Sequence, residues 1–431
     1  MRNRFTNFGW VVTLLIVLIP ITIWLTTQPT QWPNVRVVLE NLAKMAGLAG
    51  LSLFAWNVIL SARLKLYDRL FTGLDNTYRA HHLIGCITII LLMIHPLLLA
   101  WGYFITSPVA AMEFLKPSLA SPFKILGTLT LSLMMITMFV VLFIKVQYRR
   151  FILLQRLLGL LLFLGGIHAI FVGGSDVNRI ILLQIYILLL LSLAAGVYVY
   201  RSIFHKGFHK FYDYKLDLVT PKGEVTELCL STSSDSIRQK PGQFVFVKFD
   251  TPGVLGESHP FTVSAPPQAG KLRFSIKNLG DYTAAIQNIQ PGLTAKIDGP
   301  YGTFSNTIIK NPRQIWVAGG IGITPFLAMA GALGGDQQID LYYSVKNAQE
   351  AVYLEELQHL AKGKANLVLH PYYTEKSGLL TADYIFKASQ NRKGAAYLVC
   401  GPPGMMKALK NQLVSGGVAR HNVHTEEFGL K

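Results

Sequence analysis

Up to about Tyr200 the chain is dominated by long runs of Leu, Ile, Val and Phe, and these limit what it can fold into more than any other feature. A hydrocarbon core of about 30 Å is crossed by a helix of about 20 residues, and in lipid every backbone N–H and C=O must be satisfied internally. Runs of that length lie near Trp10–Thr26, Met45–Ser61, Ala80–Phe104, Phe123–Ile144, Phe151–Val172 and Ile180–Tyr200. They predict an α-helical bundle of six membrane spans. Past Tyr200 the pattern changes to strand-like alternation with Gly/Pro turns, which places the main domain boundary there. The first run follows Arg2 and Arg4 as a signal peptide would, but its apolar part is long and no small-x-small site follows, so it reads as a retained span.

The net charge of +17 is spread unevenly. One set of loops carries Arg2 and Arg4, then Arg63, Lys65, Arg69 and Arg79, then Lys145, Arg149 and Arg150, then Arg201, Lys206 and Lys210. The opposite set holds chiefly Arg36, Lys44, Lys116 and Arg179. The positive-inside rule then predicts a multi-pass protein of the cell's inner membrane with both the N-terminus and the C-terminal half cytoplasmic. The same distribution argues against nucleic acid as a partner, since no basic and aromatic stripe marks a soluble face. Cys86, Cys229 and Cys400 are scattered, with neither metal-type nor disulfide-framework spacing.

Histidines inside the spans are the first chemical signal. His81, His82 and His95 lie on the third and His168 on the fifth, and an imidazole in lipid is costly and usually functional. On a helix, His81 and His95 fall within about 40° of one face and about 21 Å apart along the axis. That suits ligands of two haems stacked across the bilayer, histidine being a standard axial ligand. His82 points about 140° from His95 and, at the membrane boundary, reads better as an interfacial residue.

The run Ala80-His81-His82-Leu83-Ile84-Gly85 with His95-Pro96 resembles the third span of the ferric reductase and NADPH oxidase superfamily, and Leu154-Gln155-Arg156-Leu157-Leu158-Gly159 with His168-Ala169 resembles its fifth. In that family each of these spans donates two histidines. The resemblance implies that His95 and His168 hold an outer haem b and that His81 holds one side of an inner one. Gln155 stands where the fourth histidine is expected. Three outcomes follow: a five-coordinate inner haem on His81, a substitute ligand such as His82, or a single haem.

In the second half, Phe244–Phe249 reads as a strand after the turn Pro241-Gly242-Gln243, and short strands around it suggest a small antiparallel barrel. From Gln314 strands alternate with helical stretches, as in a doubly wound unit. The predicted domains are residues 1–205 (membrane bundle), 206–309 (flavin-binding antiparallel β-barrel) and 310–431 (α/β nucleotide-binding). His259-Pro260-Phe261-Thr262-Val263-Ser264, read alone equally a strand after a turn, resembles the flavin strand of the ferredoxin-NADP reductase superfamily. There the ring and hydroxyls meet the isoalloxazine of FAD, which implies contacts from His259, Pro260, Phe261, Thr262 and Ser264. Lys277 with Gly280 and Thr283 resembles the family's pyrophosphate clamp, and Gly299-Pro300-Tyr301-Gly302-Thr303-Phe304 its closing turn. An apolar strand then enters Gly319-Gly320-Ile321-Gly322 and a helix opened by Thr324-Pro325, a turn that lets a dinucleotide approach the backbone. Cys400-Gly401-Pro402 resembles the strand end beside the nicotinamide, and Phe428 the terminal aromatic that covers the flavin. After the second nucleotide-fold strand comes Lys346 rather than an acid, which leans toward NADPH over NADH.

The resemblance implies an electron-transfer chain in the bilayer, from NAD(P)H through FAD and haem to an outer acceptor. The acceptor reads as O2, giving superoxide, or as a ferric chelate. A membrane-anchored flavin reductase with its haem path broken at Gln155 is the alternative of a different kind.

Overall fold

The computed structural model describes residues 8–62, 67, 70–71, 73–116, 118–144, 146, 148–200, 211–390 and 393–426. Phe428 and the basic residues Arg2, Arg4, Arg63, Lys65, Arg69, Lys145, Arg201, Lys206 and Lys210 lie outside them. The chain forms two compact units, Met1–Phe208 and His209–Lys431.

The first unit is helical: α1 (Phe8–Leu25), α2 (Val35–Leu60), α3 (Leu74–Thr106), α4 (Pro108–Leu115), α5 (Pro122–Phe143), α6 (Tyr148–Phe171), α7 (Asp176–Arg179) and α8 (Ile181–Val199). Six of these helices are long and apolar enough to cross a membrane. α2 is the central one. Its Leu48, Leu51, Phe54 and Trp56 are buried, together with Ile84 of α3, Leu161 and Leu162 of α6 and Ile187 of α8. Elsewhere large apolar side chains face outward, among them Leu97, Leu129, Ile136, Leu182 and Leu189. Helices apolar on every side are at equilibrium in lipid but not in water.

α2 begins ten residues before the run that begins at Met45, and the intervening turns carry charge. Arg36 pairs with Glu40 one turn on (2.8 Å), and Lys44 pairs with Asp176 of α7 (2.8 Å), which also accepts from the Trp24 indole (2.8 Å). Paired charges let a helix run on through the membrane boundary, where hydropathy alone stops it.

The second unit holds two sheets. β1 (Tyr212–Lys222), β2 (Val225–Ser231), β3 (Phe244–Phe249), β4 (His259–Thr262), β5 (Lys271–Lys277) and β6 (Thr294–Tyr301) form one antiparallel sheet in the order β4-β3-β6-β1-β2-β5. Its edge strands meet at the Val263–Phe274 bridge. The short helix α9 (Asp281–Ile286) follows β5 and buries Tyr282 and Ile286 in the same core as Phe274 and Ile297.

β7 (Arg313–Gly319), β8 (Gln338–Val345), β9 (Leu367–Tyr373), β10 (Ala396–Cys400) and β11 (Val423–Glu426) form a parallel sheet in the order β11-β10-β7-β8-β9. Side chains of β7 alternate between its faces, as the period of a strand dictates. Trp316 and Ala318 pack with Phe326 of α10 (Thr324–Gly331) and Leu357 of α11 (Leu354–Lys362). Ile315 and Val317 pack with Ile385 of α12 (Ala382–Ala388) and Leu409 of α13 (Pro403–Ser415). Helices thus cover both faces, which is why the strands read as unbroken apolar runs. The chain fills one side of β7 with β8 and β9, then crosses to the other with β10 and β11, so the order reverses between β7 and β10. In such sheets ligands bind outside the carboxyl ends of the strands at this reversal.

Candidate functional site

At the reversal point two turns touch backbone to backbone. A Cβ on Gly322 would lie 2.3 Å from the carbonyl oxygen of Cys400, and one on Gly401 would lie 3.0 Å from the Cα of Gly319. A Cβ on Gly319 would meet the Met405 sulfur at 2.8 Å. Gly320 adopts φ +53° with nothing within 4 Å of its Cβ position, so the turn is left-handed and opens to solvent there. Thr324 and Pro325 open α10, a proline suiting the first helical positions, and Pro402 precedes α13 on the facing turn. The arrangement presents bare backbone and two helix starts to a dinucleotide's pyrophosphate.

Cys400 closes β10 beside this crevice, but its thiol turns inward. It is fully buried and donates to the carbonyl of Glu426 at 3.5 Å. Burial pushes the thiol's pKa well up, so it remains a neutral, compact side chain rather than a nucleophile. Lys346 follows β8, exposed, and pairs with Glu375 at 3.6 Å.

In the antiparallel sheet, β4 carries His259-Pro260-Phe261-Thr262. The His259 ring lies on Tyr282 of α9 with centroids 3.8 Å apart, and Phe261 stacks on the same ring at 5.9 Å. Burial pulls the His259 pKa down, with Glu257 at 3.5 Å offsetting part of it, and burial pushes that of Tyr282 up. Both the Thr262 hydroxyl and the Tyr282 hydroxyl are buried and have no hydrogen-bond partner among the described residues. Such orphans are rare, and here they sit beside an aromatic surface. Polar atoms of an isoalloxazine edge fit them.

Other predicted flavin residues are engaged within the protein. Ser264 is fully buried; its hydroxyl donates to the Arg273 carbonyl (3.1 Å) and accepts from Ser275 (2.9 Å). The Thr283 hydroxyl accepts from the N–H groups of Leu279 and Gly280 (2.8 and 2.9 Å) and so caps α9. Lys277 pairs with Glu224 at 3.1 Å. Arg273, which no motif drew attention to, ties β5 to α11 through both oxygens of Glu356 (3.2 and 2.7 Å).

In the membrane unit the predicted histidines share one construction. His95 Nδ1 lies 2.8 Å from the Ala43 carbonyl, His168 Nδ1 2.6 Å from that of Phe123, and His81 Nδ1 3.1 Å from that of Asn57. A carbonyl only accepts, so Nδ1 must carry the proton and Nε2 the lone pair, the form in which a neutral imidazole binds a metal. Glycines seat the histidine rings: a Cβ on Gly47 would come within 3.0 Å of His95 Nδ1, and one on Gly127 within 2.4 Å of His168 Nδ1. His82 differs, being exposed with Nδ1 3.8 Å from the Cys86 sulfur. Gln155 is half-buried on α6, with no hydrogen bond among the described residues. The donor set therefore fits a haem between α3 and α6. Neither Gly47 nor Gly127 was picked out in the sequence; a single glycine in an apolar span, marking close approach of another helix, was the available signal.

Three family descriptions match: a ferric reductase like transmembrane component over residues 46–166, an FAD-binding domain over 213–305 and an oxidoreductase NAD-binding domain over 316–411. Among curated proteins the chain is similar to flavohemoprotein A of Dictyostelium discoideum (26% identity over 208 residues, 44% of this chain and 52% of that protein). It is also similar to the ferredoxin–NAD(P)(+) reductase component of a naphthalene 1,2-dioxygenase/salicylate 5-hydroxylase system of Ralstonia sp. (28% over 201 residues, 44% and 60%). The chain thus spans about half the length of these relatives. Among solved structures, a flavohemoglobin of Malassezia yamatoensis with bound FAD and heme superposes with a TM-score of 0.51 at 18% identity, over 92% of this chain and 97% of that one. The likeness is one of fold.

Proposed function

We propose that this chain, a member of the ferric reductase and NADPH oxidase superfamily with a ferredoxin-NADP reductase-like half, moves electrons from cytoplasmic NAD(P)H across the inner membrane to O2 at the outer face, releasing superoxide. The observation that carries this reading is the pairing of His95 and His168. Both are fixed by backbone carbonyls as Nε2 donors, in the C-terminal halves of α3 and α6, away from the membrane level of the end of α8 where the chain enters the reductase unit.

Bound FAD would supply the exchange between hydride and single-electron chemistry, and haem b held by the histidines would supply one-electron transfer. The remaining tasks fall to residues of the chain. Gly319, Gly320, Gly322, Gly401 and Pro402 shape the crevice that orients NAD(P)H, with Thr324 and Pro325 at the helix start beneath its phosphates. Lys346 offers a cation to a 2′-phosphate and so favours NADPH. Pro260, Phe261 and Thr262, with His259 and Tyr282 behind them, hold the isoalloxazine, while Lys277, Gly280 and Thr283 line the approach of the FAD pyrophosphate. Cys400, at the end of β10, fills the space beside the nicotinamide. The segment between α3 and α5 favours a small neutral acceptor over a metal chelate, because its one acidic residue, Glu113, is engaged with Lys116 at 2.5 Å.

Sealed vesicles with the reductase half outward test this. NADPH added outside gives superoxide inside, and His95→Ala abolishes it while dye reduction outside continues. Superoxide confined to the outside, or none with an imported ferric chelate reduced instead, contradicts the O2 reading.

A further inference from the structure

α2 and α3 build two equivalent histidine seats, not one. The carbonyls that hold the histidines, Ala43 and Asn57, are fourteen residues apart on α2, and the histidines they hold, His95 and His81, are fourteen apart on α3. The helices run in opposite directions, so the same contact recurs at both membrane levels. The facing side is not duplicated. α5 offers the Phe123 carbonyl to His168, and thirteen residues earlier on α6, at the level of His81, stands Gln155. It shares its helix stripe with Leu158 and Leu162, which are buried, and it makes no hydrogen bond among the described residues.

From this asymmetry we infer that the chain holds an inner haem through His81 alone, with Gln155 leaving the opposite coordination position open to a small diatomic ligand. An amide is a poor ligand for haem iron, yet its N–H is a suitable donor to a polar diatomic molecule in an apolar pocket, and such donors set whether a haem binds gas or only passes electrons. The outer pair, closed by two histidines, is built only to pass them. The inference rests on the haem reading above.

The test uses purified full-length protein loaded with haem and reduced with dithionite, with haem per chain, spin state and carbon monoxide binding as readouts. Two haems per chain are expected, one low-spin and indifferent to CO, one high-spin and CO-binding. Gln155→His makes both low-spin and removes CO binding without changing haem content. His81→Ala removes one haem together with all CO binding. Gln155→Leu keeps CO binding but releases the ligand faster. Two haems that both ignore CO, or a single haem unaffected by His81→Ala, overturn the inference. Because dithionite supplies the electrons, a break in delivery from NAD(P)H leaves this result untouched; a protein that takes up no haem at all defeats both readings.

Discussion

In the reductase unit the crevice is made of backbone: Gly319, Gly322 and Gly401 bring two turns together with no room for a Cβ, and the strand reversal between β7 and β10 aims them. In the membrane unit the site is made of side chains, each reaching to a carbonyl 24 to 52 residues away on another helix. The first kind of site depends on contiguous sequence and resists small changes of its surroundings. The second depends on how helices are spaced, so a methyl group on the wrong helix can undo it.

The sharpest way to break this contrast is to add a methyl group to each. Gly322→Ala drives a Cβ into the Cys400 carbonyl, an overpacking that costs about 3 kcal/mol and closes the crevice. NAD(P)H oxidation is expected to vanish while the haem content of the membrane fraction is unchanged. Gly127→Ala reverses the pattern. Its Cβ displaces the His168 ring, so haem is lost without any histidine being altered, while dye reduction by NADPH persists. Gly47→Ala, whose Cβ would meet its histidine at 3.0 Å rather than 2.4 Å, has the milder effect. Unchanged haem content in both variants would mean that the glycines are not seats.

Within the reductase unit the comparison can be sharpened through Arg273. Glu356→Gln weakens its bidentate hold on a partly buried guanidinium, and about 2 kcal/mol of stability is expected to go, read as a lower Tm with FAD bound. A smaller effect concerns pH. Burial holds the folded pKa of His259 below its unfolded value, which is about 6.5. Above that value both states are neutral and nothing is contributed. As pH falls through it the unfolded chain takes the proton first, so stability of this unit drops between the unfolded and the lowered folded value. His259→Gln should flatten that slope. The least effect is expected of Lys346→Ala, which raises KM for NADPH more than for NADH.

How much of this was legible follows from the same contrast. The glycine turn after β7 and its partner at Cys400-Gly401-Pro402 stand in short runs whose chemistry a reader can name, and the apolar strands around them are uninterrupted. The six spans were legible because lipid demands a length of apolar helix, although the paired charges of Arg36, Glu40 and Lys44 hid the first turns of α2. Histidines in the spans stood out by residue type alone. Their glycine seats and carbonyl partners did not, since Gly127 and Phe123 acquire meaning only when α5 lies against α6. The hydroxyls of Ser264 and Thr283 were legible as polar groups but not in their use, because which N–H or C=O they meet is set by strand register and helix capping.

The central claim is that the two units form one path for electrons, and an anaerobic titration of haem-loaded protein with NADPH tests it most directly. With FAD and haem quantified beforehand, the account predicts that the haem bands reduce promptly after the flavin band bleaches. Flavin that bleaches over haem that stays oxidised, yet yields to dithionite, would contradict it and leave a membrane-anchored flavin reductase.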